Sequence, residues 1–137
     1  MRHLLTAEII AEIEKKCFEQ PWSKESVKAQ LNSKSSVSLI KTKNGVPVGY
    51  ATGKRLGDES ELYRIAVLPE HRGKGLAKEL LMRFMQKCDS DIFLEVRSEN
   101  AAAIALYKSA GFTEAARRKN YYGDDDAIIF KYTKNKT

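Results

Sequence analysis

Residues 92–112 read Ile-Phe-Leu-Glu-Val-Arg-Ser-Glu-Asn-Ala-Ala-Ala-Ile-Ala-Leu-Tyr-Lys-Ser-Ala-Gly-Phe. The stretch opens as a strand whose apolar run carries one acid, Glu95. It turns at Asn100 into an alanine-rich helix and stops at Gly111. Asn100 is a good N-cap, because its side-chain oxygen can accept from the free amides of the first helical turn. Gly111 suits the left-handed position just past a helix end. Strand, turn and capped helix are expected to bring Glu95, Asn100 and Tyr107 near one another. A carboxylate, an amide and a phenol suffice for acid–base chemistry on a small group. The same residues also fit an edge acid, an ordinary cap and a packing tyrosine, and the spacing alone leaves both readings open.

Working outward, residues 62–81 run Leu-Tyr-Arg-Ile-Ala-Val-Leu-Pro-Glu-His-Arg-Gly-Lys-Gly-Leu-Ala-Lys-Glu-Leu-Leu. An apolar strand ends near Leu68, because Pro69 cannot continue a central ladder. Arg72, Gly73, Lys74 and Gly75 form a basic, glycine-containing loop ahead of an amphipathic helix expected over 74–87. Curled backbone amides and a helix start together suit a phosphate or pyrophosphate. Neither common nucleotide loop is present, since Gly-x-x-x-x-Gly-Lys-Ser/Thr and Gly-x-Gly-x-x-Gly are both missing. A solvated basic turn fits the same residues.

Composition bounds the alternatives. The 137 residues, 42% hydrophobic and 31% charged, suit one globular domain with a core, spanning residues 1–137. No apolar run nears the roughly 20 residues of a membrane span. The start, Met1-Arg2-His3-Leu4-Leu5, lacks the apolar core of a secretory signal, so a cytoplasmic location is expected. Cys17 and Cys88 read as reduced packing residues, and His3 and His71 stand apart from other ligand types, so no metal is expected. The net charge of +6 fits either a nucleic-acid binder or an enzyme for a polyanionic cofactor. Neither the 71–83 cluster nor the tail from Lys131 interleaves aromatic residues that could stack on bases. Residues 133–137 read as a frayed end.

Periodicity predicts a helix over 7–17 capped by Thr6, a break at Pro21, and a second helix from Ser23 to about Asn32. Strands over 36–43 and 46–55 flank Asn44-Gly45, a hairpin signal. Strands over 61–68 and 91–97, each followed by a helix, are expected to run parallel, and 112–118 with 126–132 to close the sheet. The class is α/β (α+β): helices around a mixed, mostly antiparallel sheet.

The motifs together resemble the GCN5-related N-acetyltransferase superfamily, and within it the enzymes that acetylate the N-terminal alanine of a ribosomal protein. Phe18-x-x-Pro21-Trp22-Ser23 resembles the segment after that family's first helix. Ile65-Ala66-Val67 with Arg72-x-x-Gly75-x-Ala77 resembles its acetyl-coenzyme A motif. Leu94-Glu95-Val96-Arg97, Asn100, the run to Tyr107 and Gly111-Phe112 match its catalytic segment. Arg118-x-Asn120-Tyr121-Tyr122 and Asp126-Ala127-Ile128-Ile129 match its closing hairpin.

The resemblance implies a splayed parallel central strand pair that admits acetyl-coenzyme A. The backbone of Ile65, Ala66 and Val67 would pair with its pantetheine arm. Amides of Gly73, Lys74, Gly75, Leu76, Ala77 and Lys78, with Arg72 beside them, would hold the pyrophosphate, and Asn100 would contact the pantetheine. Glu95 would act as base on the acceptor amine and Tyr107 as acid toward the leaving thiolate. The acceptor would be the N-terminal α-amine of an alanine-started protein, most simply a small-subunit ribosomal protein. A lysine side chain or small amine is the alternative acceptor. A non-catalytic module holding coenzyme A or nucleic acid is the alternative outside enzymes. Asp124, Asp125 and Asp126 form an acidic turn expected to attract a basic acceptor chain.

Overall fold

In the computed structural model of the chain, residues 2–134 are described, with side chains from Thr6 onward. The elements in chain order are α1 (Arg2–Cys17), α2 (Lys24–Asn32), β1 (Ser36–Lys43), β2 (Val46–Leu56), β3 (Glu59–Val67), α3 (Leu76–Cys88), β4 (Asp91–Arg97), α4 (Ala101–Ser109), β5 (Thr113–Arg118) and β6 (Ala127–Tyr132). A short 3-10 turn, Pro69–His71, separates β3 from the basic loop. The six strands form one sheet in the order β1-β2-β3-β4-β6-β5. Only β3 and β4 are parallel.

Beyond small shifts at strand ends, three points differ from the sequence reading. Helix α1 begins at Arg2, so Thr6 lies inside the helix and does not cap it. Helix α3 begins at Leu76, because Gly73 and Gly75 hold the loop in left-handed backbone first. The tail is tied down through Lys134, whose amide donates to Asp91 (2.8 Å). The rest of the expected frayed end, residues 135–137, lies outside the described residues, as does the His3 side chain. Ser23 caps α2 as expected, accepting from the Ser26 amide at 3.1 Å.

Each face of the sheet carries its own apolar layer. Helices α1 and α2 place Ile10, Ile13 and Val27 on Tyr50, Ala66 and Leu68. On the other face Leu80, Leu81 and Phe84 of α3 pack against a cluster that includes Leu94, Val96 and Tyr107. Cys17 and Cys88 are free thiols, and burial raises the pKa of both. Among the described residues no helix is long and apolar enough to cross a membrane, and no group of three or more His, Cys, Asp or Glu is placed to hold a metal.

The sheet parts where the site is built. Strands β3 and β4 pair only at Glu59–Asp91, Ser60–Ile92 and Glu61–Phe93. Beyond that point β3 stays with β2 as far as Val67, and β4 stays with β6 as far as Arg97. A bulge sits at the parting: the β2 register jumps from Thr52–Arg64 to Gly53–Leu62, leaving Tyr63 as the extra residue. Bulges add local twist and bend. Gly53 is required there, because a Cβ would meet the Glu61 carbonyl oxygen at 2.0 Å.

Candidate active site

The parted strands expose backbone. The Leu68 amide donates to the Val48 carbonyl (2.8 Å) on the β2 side, so by strand alternation Ala66 also faces β2 while Ile65 and Val67 face the gap. Of the three residues expected to offer free backbone, Ala66 is therefore engaged with Tyr50 of β2. The Val67 carbonyl already accepts from Arg72 Nε at 2.9 Å and is approached by the Cys17 thiol at 3.5 Å. Arg72 thus braces the end of β3 from the loop.

The loop after β3 fits an anion. Gly73 and Gly75 have φ of +78° and +81°, and a Cβ at either would enter open space. Gly75 is the N-cap of α3 and offers no side chain to its first turn. The amides of Leu76, Ala77 and Lys78 are thus left without the capping bond that a polar N-cap would make. Lys74 and Lys78 are exposed, and no ion pair engages them among the described residues. An uncapped helix start beside two exposed ammonium groups suits an anion.

Glu95 and Tyr107 stand on opposite sides of the sheet. Leu94 and Val96 belong to the α3-side cluster with Tyr107, so the intervening Glu95 projects to the α1 face. There it is exposed and accepts a hydrogen bond from the Tyr122 hydroxyl. Tyr122 has its pKa pushed up to about 12, first by burial and then by that bond to Glu95. Glu61, the last β3 residue before the parting, is half-buried on the same face; burial, and then the Glu95 charge, raise its pKa.

Tyr107 is 7% exposed, with its ring 5.8 Å from Phe112 and 6.5 Å from Phe130. Burial pushes its pKa up to about 12. Among the described residues its hydroxyl has no hydrogen-bond partner. Asn100 caps α4, its Oδ1 accepting from the Ala103 amide at 3.1 Å. Of the three residues expected to lie together, Glu95 and Tyr107 thus belong to opposite faces of the sheet.

The closing turn differs from its sequence reading. Asp125 is 2% exposed; its carboxylate takes Arg97 Nε at 3.0 Å, the Ser98 hydroxyl and the Glu99 amide at 3.1 Å. The Ser98 bond is the main cause holding its pKa below the usual range. Asp126 accepts from the Asn120 amide and from Arg117, both at 2.9 Å. Only Asp124 remains exposed without a described partner, so the turn spends two of its acids internally rather than on a basic chain. That spending orients the wall of the site. Arg97, fixed by Asp125, lies 4.3 Å over the Tyr122 ring, and Tyr121 meets Tyr122 edge-on at 5.1 Å. Neither the Tyr122–Glu95 bond nor the Glu61 neighbour was legible in the sequence, because both depend on which strands flank the parting.

Comparison with known proteins agrees with this geometry. The family model for the acetyltransferase (GNAT) family matches residues 7–112. The [ribosomal protein bS18]-alanine N-acetyltransferase of Escherichia coli (strain K12) is 38% identical over 125 residues, covering 85% of this chain and 84% of that protein. The N-alpha-acetyltransferase RimI of Mycobacterium tuberculosis is 34% identical over 123 residues, covering 85% of this chain and 78% of that protein. The crystal structure of the Escherichia coli ribosomal-protein-S18-alanine N-acetyltransferase superposes with a TM-score of 0.87 at 33% identity, over 94% of this chain and 88% of that one. A parted β3–β4 pair, an anion loop at the start of α3 and homology along most of the length lead to one assignment: the chain belongs to the acetyltransferase (GNAT) family.

Proposed function

We propose that this chain transfers an acetyl group from acetyl-coenzyme A to the N-terminal α-amine of an alanine-started protein, a small-subunit ribosomal protein of the bS18 kind, in the cytoplasm. The observation that carries the reading is the parting of β3 and β4, with an anion cradle on one side and the Glu95–Tyr122 pair on the other. The relatives named above as alanine N-acetyltransferases supply the acceptor class. Bound acetyl-coenzyme A supplies the activated acetyl thioester. The gap-facing groups of Ile65 and Val67 would hold its arm as an added strand, and the amides of Gly73 to Lys78, with Lys74 and Lys78, its pyrophosphate. Asn100, at the start of α4, would contact the pantetheine arm.

The rest of the work falls to side chains. An α-ammonium has a pKa of roughly 8, so at neutral pH it must shed a proton before it can attack. Glu95, on the acceptor face, takes that proton directly or through a water. Glu61 beside it keeps this end of the gap negative, which draws in an ammonium and not a carboxylate. Attack on the thioester is direct, with no acyl-enzyme. Tyr107 holds its proton at every working pH, since its pKa is about 12. A thiol near about 8.5 is the stronger acid. Tyr107 therefore stabilises the leaving sulfur by donating a hydrogen bond, and full transfer of the phenolic proton is uphill.

The test is thiol release from acetyl-coenzyme A across peptides with free alanine, serine or methionine starts, with polyamines and free lysine as other amines. The expected result is fastest release with alanine starts. Release only with polyamines or free lysine would overturn the acceptor assignment.

A further inference from the structure

The α1 face hides a carboxylate that the mechanism does not use. Glu14 is 0% exposed. It lies on the apolar stripe of α1, one turn from Ile10 and beside Ile13, where a charge must find partners or unfold the site. Three elements supply them. The Trp22 amide donates to Oε1 at 2.7 Å, the Tyr50 hydroxyl donates to Oε2, and Arg64 Nη2 lies 3.4 Å from Oε1. The bond to Glu14 and burial both raise the Tyr50 pKa, burial more. Tyr50 thus remains a proton donor to the carboxylate.

Arg64 extends the network over the connection between α1 and α2. Its guanidinium sits 4.1 Å over the Phe18 ring and 5.1 Å from that of Trp22, and Nη2 donates to the Gln20 carbonyl at 3.2 Å. Its Nε is buried and, among the described residues, has no hydrogen-bond partner. A buried ion pair is weak evidence of net stability. The geometry fixed here is specific. Arg64 adjoins Ile65 on the bank of β3 that faces the gap, on the same sheet face as Glu95. The Phe18–Trp22 segment therefore stands over one bank, while Tyr121 and Tyr122 stand over the other.

We propose that Glu14 is a positioning residue for the acceptor: its carboxylate pins the Phe18–Trp22 wall of the cleft, and acceptor binding depends on that pin while acetyl-coenzyme A binding does not. This rests on the N-terminal acetyltransferase reading above. The loop that would hold the pyrophosphate begins beyond Leu68, and none of the three donors to Glu14 comes from it. Displacement of the wall weakens the hold on the acceptor in the ground state and the transition state alike, which raises KM and leaves kcat unchanged.

Trp22 is the chain's only tryptophan, so the pin can be read without any turnover. Glu14→Leu removes all three bonds at similar volume. Glu14→Gln keeps an acceptor for the Trp22 amide and removes the charge, and it serves if the leucine variant does not fold. In the folded variant, acrylamide quenching of Trp22 should rise. The acceptor KM should rise about tenfold or more for Glu14→Leu and less for Glu14→Gln, with kcat and acetyl-coenzyme A affinity unchanged. A loss of stability alone would not divide KM from kcat in this way. Unchanged quenching overturns the pin, and increased quenching with an unchanged acceptor KM overturns its role in acceptor binding. If the wild-type enzyme ignores alanine-started peptides, the acceptor assignment fails on its own. The same KM comparison is then made with whichever amine releases thiol, and it decides the pin separately.

Discussion

On the α3 side of the parted strands, the groups offered to a ligand are mostly backbone: the edges of Ile65 and Val67, and the amides behind Gly73 and Gly75. On the α1 side they are side chains held by other side chains. Glu95 is met by Tyr122, Tyr122 is covered by Arg97, and Arg97 is fixed by Asp125. A site made of backbone depends on conformation and tolerates many sequences. A site made of side chains depends on a chain of contacts, and a single substitution can undo it. The donor and acceptor halves should therefore fail separately, and by different measures.

The largest effect is expected at Glu95. Glu95→Gln should lower kcat by about 10²-fold or more, the usual scale for a lost general base, with acetyl-coenzyme A affinity unchanged by calorimetry. Equal turnover would remove Glu95 from the chemistry. Gly75→Val should do the reverse. A β-branched residue at φ +81° is strained by roughly 1–2 kcal/mol, and its side chain fills the cradle. Acetyl-coenzyme A should bind about tenfold or more weaker, while the folded enzyme at saturating cofactor keeps its acceptor KM. Unchanged cofactor affinity in a folded variant would show that the loop is not the anion site.

Tyr122→Phe should be milder, since it deletes one hydrogen bond to Glu95 and keeps the ring. A loss of roughly fivefold in kcat/KM for the acceptor corresponds to about 1 kcal/mol for such a bond. No loss would reduce Tyr122 to a packing residue. The smallest effect on catalysis at neutral pH should come from Asp125→Asn, whose expected signature is acid stability. The pKa of Asp125 is lowered in the folded state, below an unfolded value of roughly 3.9. Its contribution to stability is complete above that value and is lost as pH falls through the folded one. Wild-type stability should thus fall more steeply than that of Asp125→Asn below about pH 4. Parallel acid-unfolding curves would contradict the assignment.

The same contrast explains what could be read from the sequence. The hairpin at Asn44-Gly45, the Ser23 and Asn100 caps and the parallel β3–β4 pair were legible, because turn chemistry and periodicity are local. The glycine loop was legible for the same reason. Side-chain networks were not. Nothing local tells that Glu14 meets Trp22, Tyr50 and Arg64, although its place on the apolar stripe with Ile10 and Ile13 is a usable signal. Asp125 and Asp126 looked like turn chemistry open to a ligand, because nothing local tells that Arg97, Ser98 and Arg117 meet them. The separation of Glu95 and Tyr107 to opposite faces follows from strand alternation, but only once α4 is known to pack with Leu94 and Val96.

The most direct test of direct transfer to an α-amine uses one peptide in two forms. One form begins with a free alanine followed by arginine. The other has the same sequence with a blocked N-terminus and an internal lysine. An α-ammonium near roughly 8 needs far less from Glu95 than a lysine near roughly 10.4. Thiol release at saturating acetyl-coenzyme A should be rapid with the free alanine form and close to background with the blocked one. A faster rate on the blocked, lysine-containing peptide would contradict the N-terminal assignment while leaving the acetyltransferase family assignment in place.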